Sequence, residues 1–158
     1  MIYTSYFAKL KKMPSNFHPV GITLYPPKWY DGPNYRGLAP TKDTLFAYKK
    51  SDSVDESTVE KEYTESFLKE TIGSKNPERE IEKAVSLLSP EVQDKIREDG
   101  IPIWESPSEH LVLMCFEKTG DFCHRNIVAK WMREHGIPVR EATDEDFERT
   151  TCAEEIEK

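Results

Sequence analysis

A chain of 158 residues is long enough for one domain with a real core and short for two. Its formal charge of -7, from 29 acidic and 22 basic residues, argues against a surface that clamps a phosphate backbone throughout, so any nucleic-acid partner would need a local groove rather than a general basic surface. No apolar run approaches the roughly 18 residues that cross a bilayer and no signal-peptide pattern opens the chain, so a soluble, cytoplasmic protein without a membrane partner is expected.

The segment Ile2–Tyr6 is β-branched and aromatic, and residues 20–24 repeat that character after a proline-bounded loop, so both are expected as strands. Residues 25–40 hold four prolines, two glycines and four aromatics. That composition excludes helix and suits an ordered loop stiffened by fixed φ angles. Thr41 can cap a helix through Phe46 and Tyr48, and residues 51–57 form a polar break. Helical spacing then runs from Val59 to Ile72, with Val59, Tyr63 and Phe67 on one face. Asn76 followed by Pro77 opens another helix through Ile81, Val85 and Leu88, and Ser89 followed by Pro90 opens a short one ending at Gly100. Leu111–Phe116 is an apolar run with the character of a buried strand, Thr119, Gly120 and Asp121 supply a turn, and Asn126–His135 is helical. Gly136 stops that helix before a final strand at Ile137–Glu141. From about residue 142 the chain is mostly acidic and expected to fray, although Phe147 has the character to dock.

Strand, helix and strand in that order, with helices inserted earlier, predict one α/β domain over residues 1–158. Its expected form is a small, mainly parallel sheet flanked by helices in a Rossmann-like three-layer arrangement. Ligands of such sheets bind beyond the carboxyl ends of the strands. Those ends are expected near Ser5, near residues 23–25 and at Glu117, with the Trp29 loop lying over them.

The richest stretch is Leu111–Asn126, where a strand, a short loop and a helix start deliver Cys115, Glu117, Asp121, Cys123, His124 and Arg125 into one small volume. The pattern of Leu113-Met-Cys-Phe-Glu117 followed by Cys123-His-Arg125 resembles the domain-of-unknown-function 488 family, in which a Leu-Leu-Cys-x-Glu strand precedes Cys-His-Arg at a helix start. The resemblance extends to Tyr3–Phe7, Pro27–Trp29, Leu38–Pro40, Tyr48, Lys49 and Tyr63, and so covers most of the chain. It implies an intracellular bacterial or phage α/β domain with a site at Cys115, Glu117, Cys123, His124 and Arg125, and implies no particular reaction.

Several chemistries compete for these residues. Arg125, His124 and the free amides around Asn126 form an anion pocket suited to a phosphorylated small molecule or nucleotide, because a helix start offers unpaired N–H groups and a positive dipole end. The plainer alternative pairs Arg125 with Glu117 or Asp121 and uses Asp121 as the helix cap. Cys123 at the helix start has the setting of an activated thiol, with His124 assisting. A phosphatase-like loop would nevertheless need an arginine six positions after Cys115, where Asp121 stands, and adjacent Cys and His side chains on a helix diverge. Cys115, Cys123 and His124 could bind a metal with Cys152 or Glu117, but structural zinc usually recruits ligands spaced two to four apart, so neither metal nor cofactor is expected. Three cysteines in a chain without an export pattern suggest free thiols. Glu117 and Asp121 suit general acid and base work, and Trp29, with the aromatics around it, suits stacking on a base. The expectation is a small α/β enzyme acting on a nucleotide, nucleoside or nucleic-acid base, with Glu117, Cys123 and His124 as catalytic residues. Arg125, Asn126, Ser5, Trp29 and Asp121 are expected to bind ligand. The alternative is a noncatalytic module that recognises a phosphorylated ligand or a protein through the same pocket.

Overall fold

A computed structural model describes residues 1–49 and 55–148. Part of the polar break at 51–57, the acidic tail from 149 onward and Cys152 lie outside the described residues. The elements run β1 (Ile2–Tyr6), β2 (Phe17–Gly21), α1 (Lys42–Lys49), α2 (Glu56–Phe67), α3 (Pro77–Val85), α4 (Pro90–Glu98), β3 (His110–Cys115), α5 (His124–Glu134) and β4 (Val139–Glu141), with short 3-10 turns between some of them. The four strands form one sheet in the order β2-β3-β1-β4, every pairing parallel. The sheet is therefore wholly parallel where a mainly parallel one is expected.

Local chemistry explains most boundaries. Asn76 and Ser89 accept from the main-chain N–H groups of Arg79 and Val92, capping α3 and α4, each with proline at the first helical position. Thr41 accepts from the N–H of Thr44 at the start of α1. The helix expected to run to Ile72 is regular only to Phe67 and widens into a π-helical turn over Leu68–Ile72, ending at Gly73 with a positive φ. The second strand lies at Phe17–Gly21 rather than 20–24. Pro19 obscures it in the sequence, yet an edge strand tolerates proline because only one side of it must pair. Beyond Pro19, Gly21 bridges Asn34 of the proline-rich loop. Helix α5 begins two residues earlier than expected, and β4 is shortened to three residues.

Alternation along the strands sorts the core into two layers. Ile2, Leu111 and Leu113 meet Val128 and Met132 of α5 and the Tyr63, Phe67 and Ile81 side of the inserted helices. Tyr3, Val112 and Met114 face the other way, against Phe7, Phe17 and Phe147. Phe147 thus docks as its character predicts, its ring 5.1 Å from Phe17, and Asp146 accepts two hydrogen bonds from Arg140. The described start of the acidic tail is therefore anchored. No helix among the described residues is long and apolar enough to cross a membrane.

Candidate functional site

The carboxyl end of β3 and the start of α5 meet at the strand ends, as the topology demands. Cys115 is the last residue of β3, Cys123 the N-cap of α5 and His124 its first residue, with Gly120 at a positive φ in the intervening turn. A cavity of about 350 Å³ opens there. Tyr25, Tyr48, Tyr63, Phe116 and Phe122 give it aromatic walls, and Thr23, Lys49, Glu117, Cys123 and His124 supply its polar groups.

Arg125 sits at the centre of this region without facing the cavity. Its side chain is 0% exposed. The guanidinium donates from Nε to Glu141 Oε1 at 3.0 Å and from Nη2 to Glu141 Oε2 at 2.8 Å. Nη1 donates to Cys115 Sγ at 3.0 Å and to the main-chain oxygen of Glu117. The Tyr6 ring lies 5.8 Å from its Cζ. Four of the five N–H groups are thereby used within the chain, so Arg125 holds strand ends together instead of presenting itself to an anion. Its ionic partner is Glu141, neither of the two carboxylates expected. Thr4 and Thr119 also donate to Glu141, and burial pushes this carboxyl up while the hydrogen bonds from Arg125 and Thr4 more than offset it, leaving it below the usual range.

His124 is buried, and its Nε2 donates to the main-chain oxygen of Ile22. A carbonyl can only accept, so Nε2 carries the proton and Nδ1 is the atom with a lone pair. Burial lowers its pKa to about 4, with Arg125 acting the same way against the bond to Ile22, so the ring is neutral at pH 7. Nδ1 lies 3.9 Å from Cys123 Sγ. Adjacent side chains on a helix would diverge, but Cys123 precedes the helix with an extended backbone at φ -155° and ψ 145°, and this brings the two together. The sulfurs of Cys115 and Cys123 are in bonding contact as a disulfide, where free thiols are expected. Compartment arguments from cysteine number do not register that an eight-residue separation folds back on itself.

Glu117 is exposed at the cavity wall, and its carboxylate makes no hydrogen bond or ion pair among the described residues. Its charge is felt by both tyrosines there. Burial raises the Tyr63 hydroxyl most, with Glu117 and then Tyr48 adding to it, and Tyr48 is raised by burial, Glu60 and Glu117.

The other expected residues lie elsewhere. Asp121 is exposed and neither caps α5, which has no side-chain cap, nor pairs with Arg125. Ser5 is buried on the opposite sheet face from Thr4, outside the cavity wall. Asn126 lines a separate groove of about 300 Å³ with Thr64, Lys130 and Glu134. The proline-rich loop lines the cavity only through its two ends, Tyr25 and Pro40. Trp29, 64% exposed, and Tyr30 turn instead towards Phe7, at 6.4 and 4.9 Å between ring centres, because that apolar ring offers them a packing surface.

Glu141, Tyr48 and Tyr63 enter the site without a chemical signature in the sequence. Glu141 reads only as the end of a strand, and Tyr63 as part of a core-facing helical stripe. The order of strands in the sheet is what brings Glu141 beside Thr4. Comparison of the chain with family models, with curated proteins and with solved structures gives no match.

Proposed function

We propose that the chain is a small α/β enzyme acting on a nucleobase or nucleoside held in the cavity at the strand ends, with Glu117 as the acid or base. The observation that carries this reading is a ring of aromatic side chains around the carboxylate of Glu117, which has no hydrogen bond or ion pair among the described residues. At about 350 Å³ the cavity falls at the small end of the roughly 300–1,000 Å³ typical of ligand pockets, which suits a ring-sized compound. Stacking of a base on such walls contributes about 1–3 kcal/mol, and a carboxylate can accept from an exocyclic amine or sugar hydroxyl. His124, neutral with its lone pair on Nδ1, and Cys123 lie beside it. A nucleotide fits less well than a nucleoside, because Arg125 is consumed by Glu141 and Lys49 is the one cationic side chain on the described wall. The resemblance to the domain-of-unknown-function 488 family, and the bacterial or phage cytoplasm it implies, belong to the same proposal and rest on the residues around Cys115 and Cys123–Arg125.

The test is thermal unfolding of the full chain, with chelator present, against nucleobases, nucleosides, nucleotides and sugar phosphates. A compound at a hundred times its Kd adds about 2.7 kcal/mol, or roughly 5–10 °C for a chain of this size. Tyr48→Ala should abolish the shift. Glu117→Gln should keep binding while ending turnover of the compound found. Binding without turnover by the wild type would favour the noncatalytic alternative, and no shift with any compound would refute a nucleobase, nucleoside or phosphorylated ligand, leaving of the alternative only the recognition of a protein.

A further inference from the structure

We infer that the reduced chain binds a divalent transition-metal ion, zinc by its ligand chemistry, through Cys115 Sγ, Cys123 Sγ and His124 Nδ1, with the fourth coordination position open to the cavity. These three donor atoms lie within 4.8 Å of one another, and all three residues are buried. On a tetrahedral zinc with Zn–S distances near 2.3 Å, ligand atoms stand about 3.5–3.8 Å apart. Cys123 Sγ and His124 Nδ1, at 3.9 Å, stand just beyond that spacing, and the two sulfurs reach it once their bond is reduced.

The backbone is spaced for a metal as well. The Cα atoms of Cys115 and Cys123 are 7.5 Å apart. A disulfide usually spans about 4.4–6.8 Å between Cα atoms, and a metal set between the sulfurs lengthens the bridge by nearly 2 Å. His124 is held as ligating imidazoles are held, with one ring nitrogen donating to a main-chain carbonyl, that of Ile22, so that the other is kept for the metal.

Charge supports the same assignment. Two thiolates cancel a divalent ion, and the remaining buried cation, Arg125, is matched by Glu141. The Arg125 Nη1 that donates to Cys115 Sγ at 3.0 Å would give a metal-bound thiolate its outer partner. The buried charges then sum to zero, which a low-dielectric site requires. Thiolate and imidazole ligands together favour zinc over magnesium or calcium. Cys123 and His124 both line the cavity, so the fourth position faces the space that also holds Glu117. Three protein ligands with an open position are the pattern of a catalytic zinc rather than a structural one. The sequence offers the set, but its spacing counts against a structural zinc because the ligands come from a strand end and a helix start.

The full chain, produced in zinc-supplemented medium and purified under a thiol reductant, should retain about one zinc per chain after dialysis, measured by elemental mass spectrometry. Cys115→Ser and Cys123→Ser should each lower zinc affinity by more than about tenfold. Because either variant could misfold, the wild type exchanged into cobalt provides a separate readout. It should show thiolate-to-cobalt charge transfer and the intense visible bands of tetrahedral coordination. After the reductant is removed by desalting and the protein is denatured in chelator, all three cysteines should react with a thiol reagent. Zinc content below about a tenth of an equivalent together with no cobalt bands would overturn the proposal. So would a single reactive cysteine in that assay, since the pair would then have stayed a disulfide through purification under reductant.

Discussion

Replacing Glu141 by Gln tests how the site is held together. The substitution keeps the side chain's shape but removes the charge facing a guanidinium that is 0% exposed, and it turns an acceptor into a donor opposite Arg125 Nη2. Stripping the partner from a buried ion costs about 3–5 kcal/mol. The Glu141 side chain is 23% exposed, so water partly compensates and the lower end, about 3 kcal/mol, applies. At roughly 2–4 °C per kcal/mol this lowers Tm by about 6–12 °C. Urea unfolding followed by circular dichroism at pH 7 measures it, with Arg125→Met and the double variant Arg125→Met, Glu141→Gln completing the cycle. The double variant should be less destabilised than the sum of Arg125→Met and Glu141→Gln by more than about 1 kcal/mol, since it buries no unpaired charge. Glu141 has its folded pKa below the unfolded value, so its contribution is present above the unfolded pKa and fades as pH falls through the folded one. The gap between wild type and Glu141→Gln should close in acid accordingly. A Glu141→Gln protein within about 1 kcal/mol of wild type at pH 7 would refute the reasoning.

The hydrogen bond from Arg140 pulls Asp146 from 3.8 to about 2, so its contribution is complete above pH 3.8 and lost as pH falls towards 2. Arg140 is half exposed, which screens the pair, and Asp146→Asn should cost about 1 kcal/mol in urea unfolding at pH 7 and nothing at pH 2; an equal cost at both pH values would count against it. Phe67 is wholly buried with its ring 5.6 Å from that of His124, so Phe67→Ala should cost about 4 kcal/mol, read from the same unfolding curves, and a loss under about 2 would show that the site collapses around the gap. Trp29→Ala should leave stability within about 0.5 kcal/mol and leave any ligand-induced shift in Tm intact; loss of that shift would return the Trp29 loop to the cavity.

The strand, turn and helix around Cys115–Arg125 were legible because an apolar run ending in a glycine turn before helical spacing has few other solutions. The caps at Asn76 and Ser89 were legible for the same kind of reason, a side chain and a proline acting on their own neighbours. Glu141 was not legible, because its role depends on β4 lying against β1, a pairing across more than 130 residues. Tyr63 sits in a helical stripe that reads as core and is core, yet the same ring also reaches the cavity wall. Trp29 was misplaced because composition shows a loop's stiffness and not the direction in which it folds. Cys115 and Cys123 were judged by their number and spacing, whereas their chemistry follows from where a strand stops and a helix starts.

The two outer strands bear on how the protein behaves in a crowded solution. A wholly parallel sheet has two exposed rims, and each is a template on which another chain could add a strand. At one rim β2 carries Pro19, which lacks a donor, and its far end is already engaged by Asn34. At the other, β4 is three residues long and bears Arg140. Among the described residues neither rim offers a long run of free donors and acceptors, so sheet extension by another chain is disfavoured at both ends.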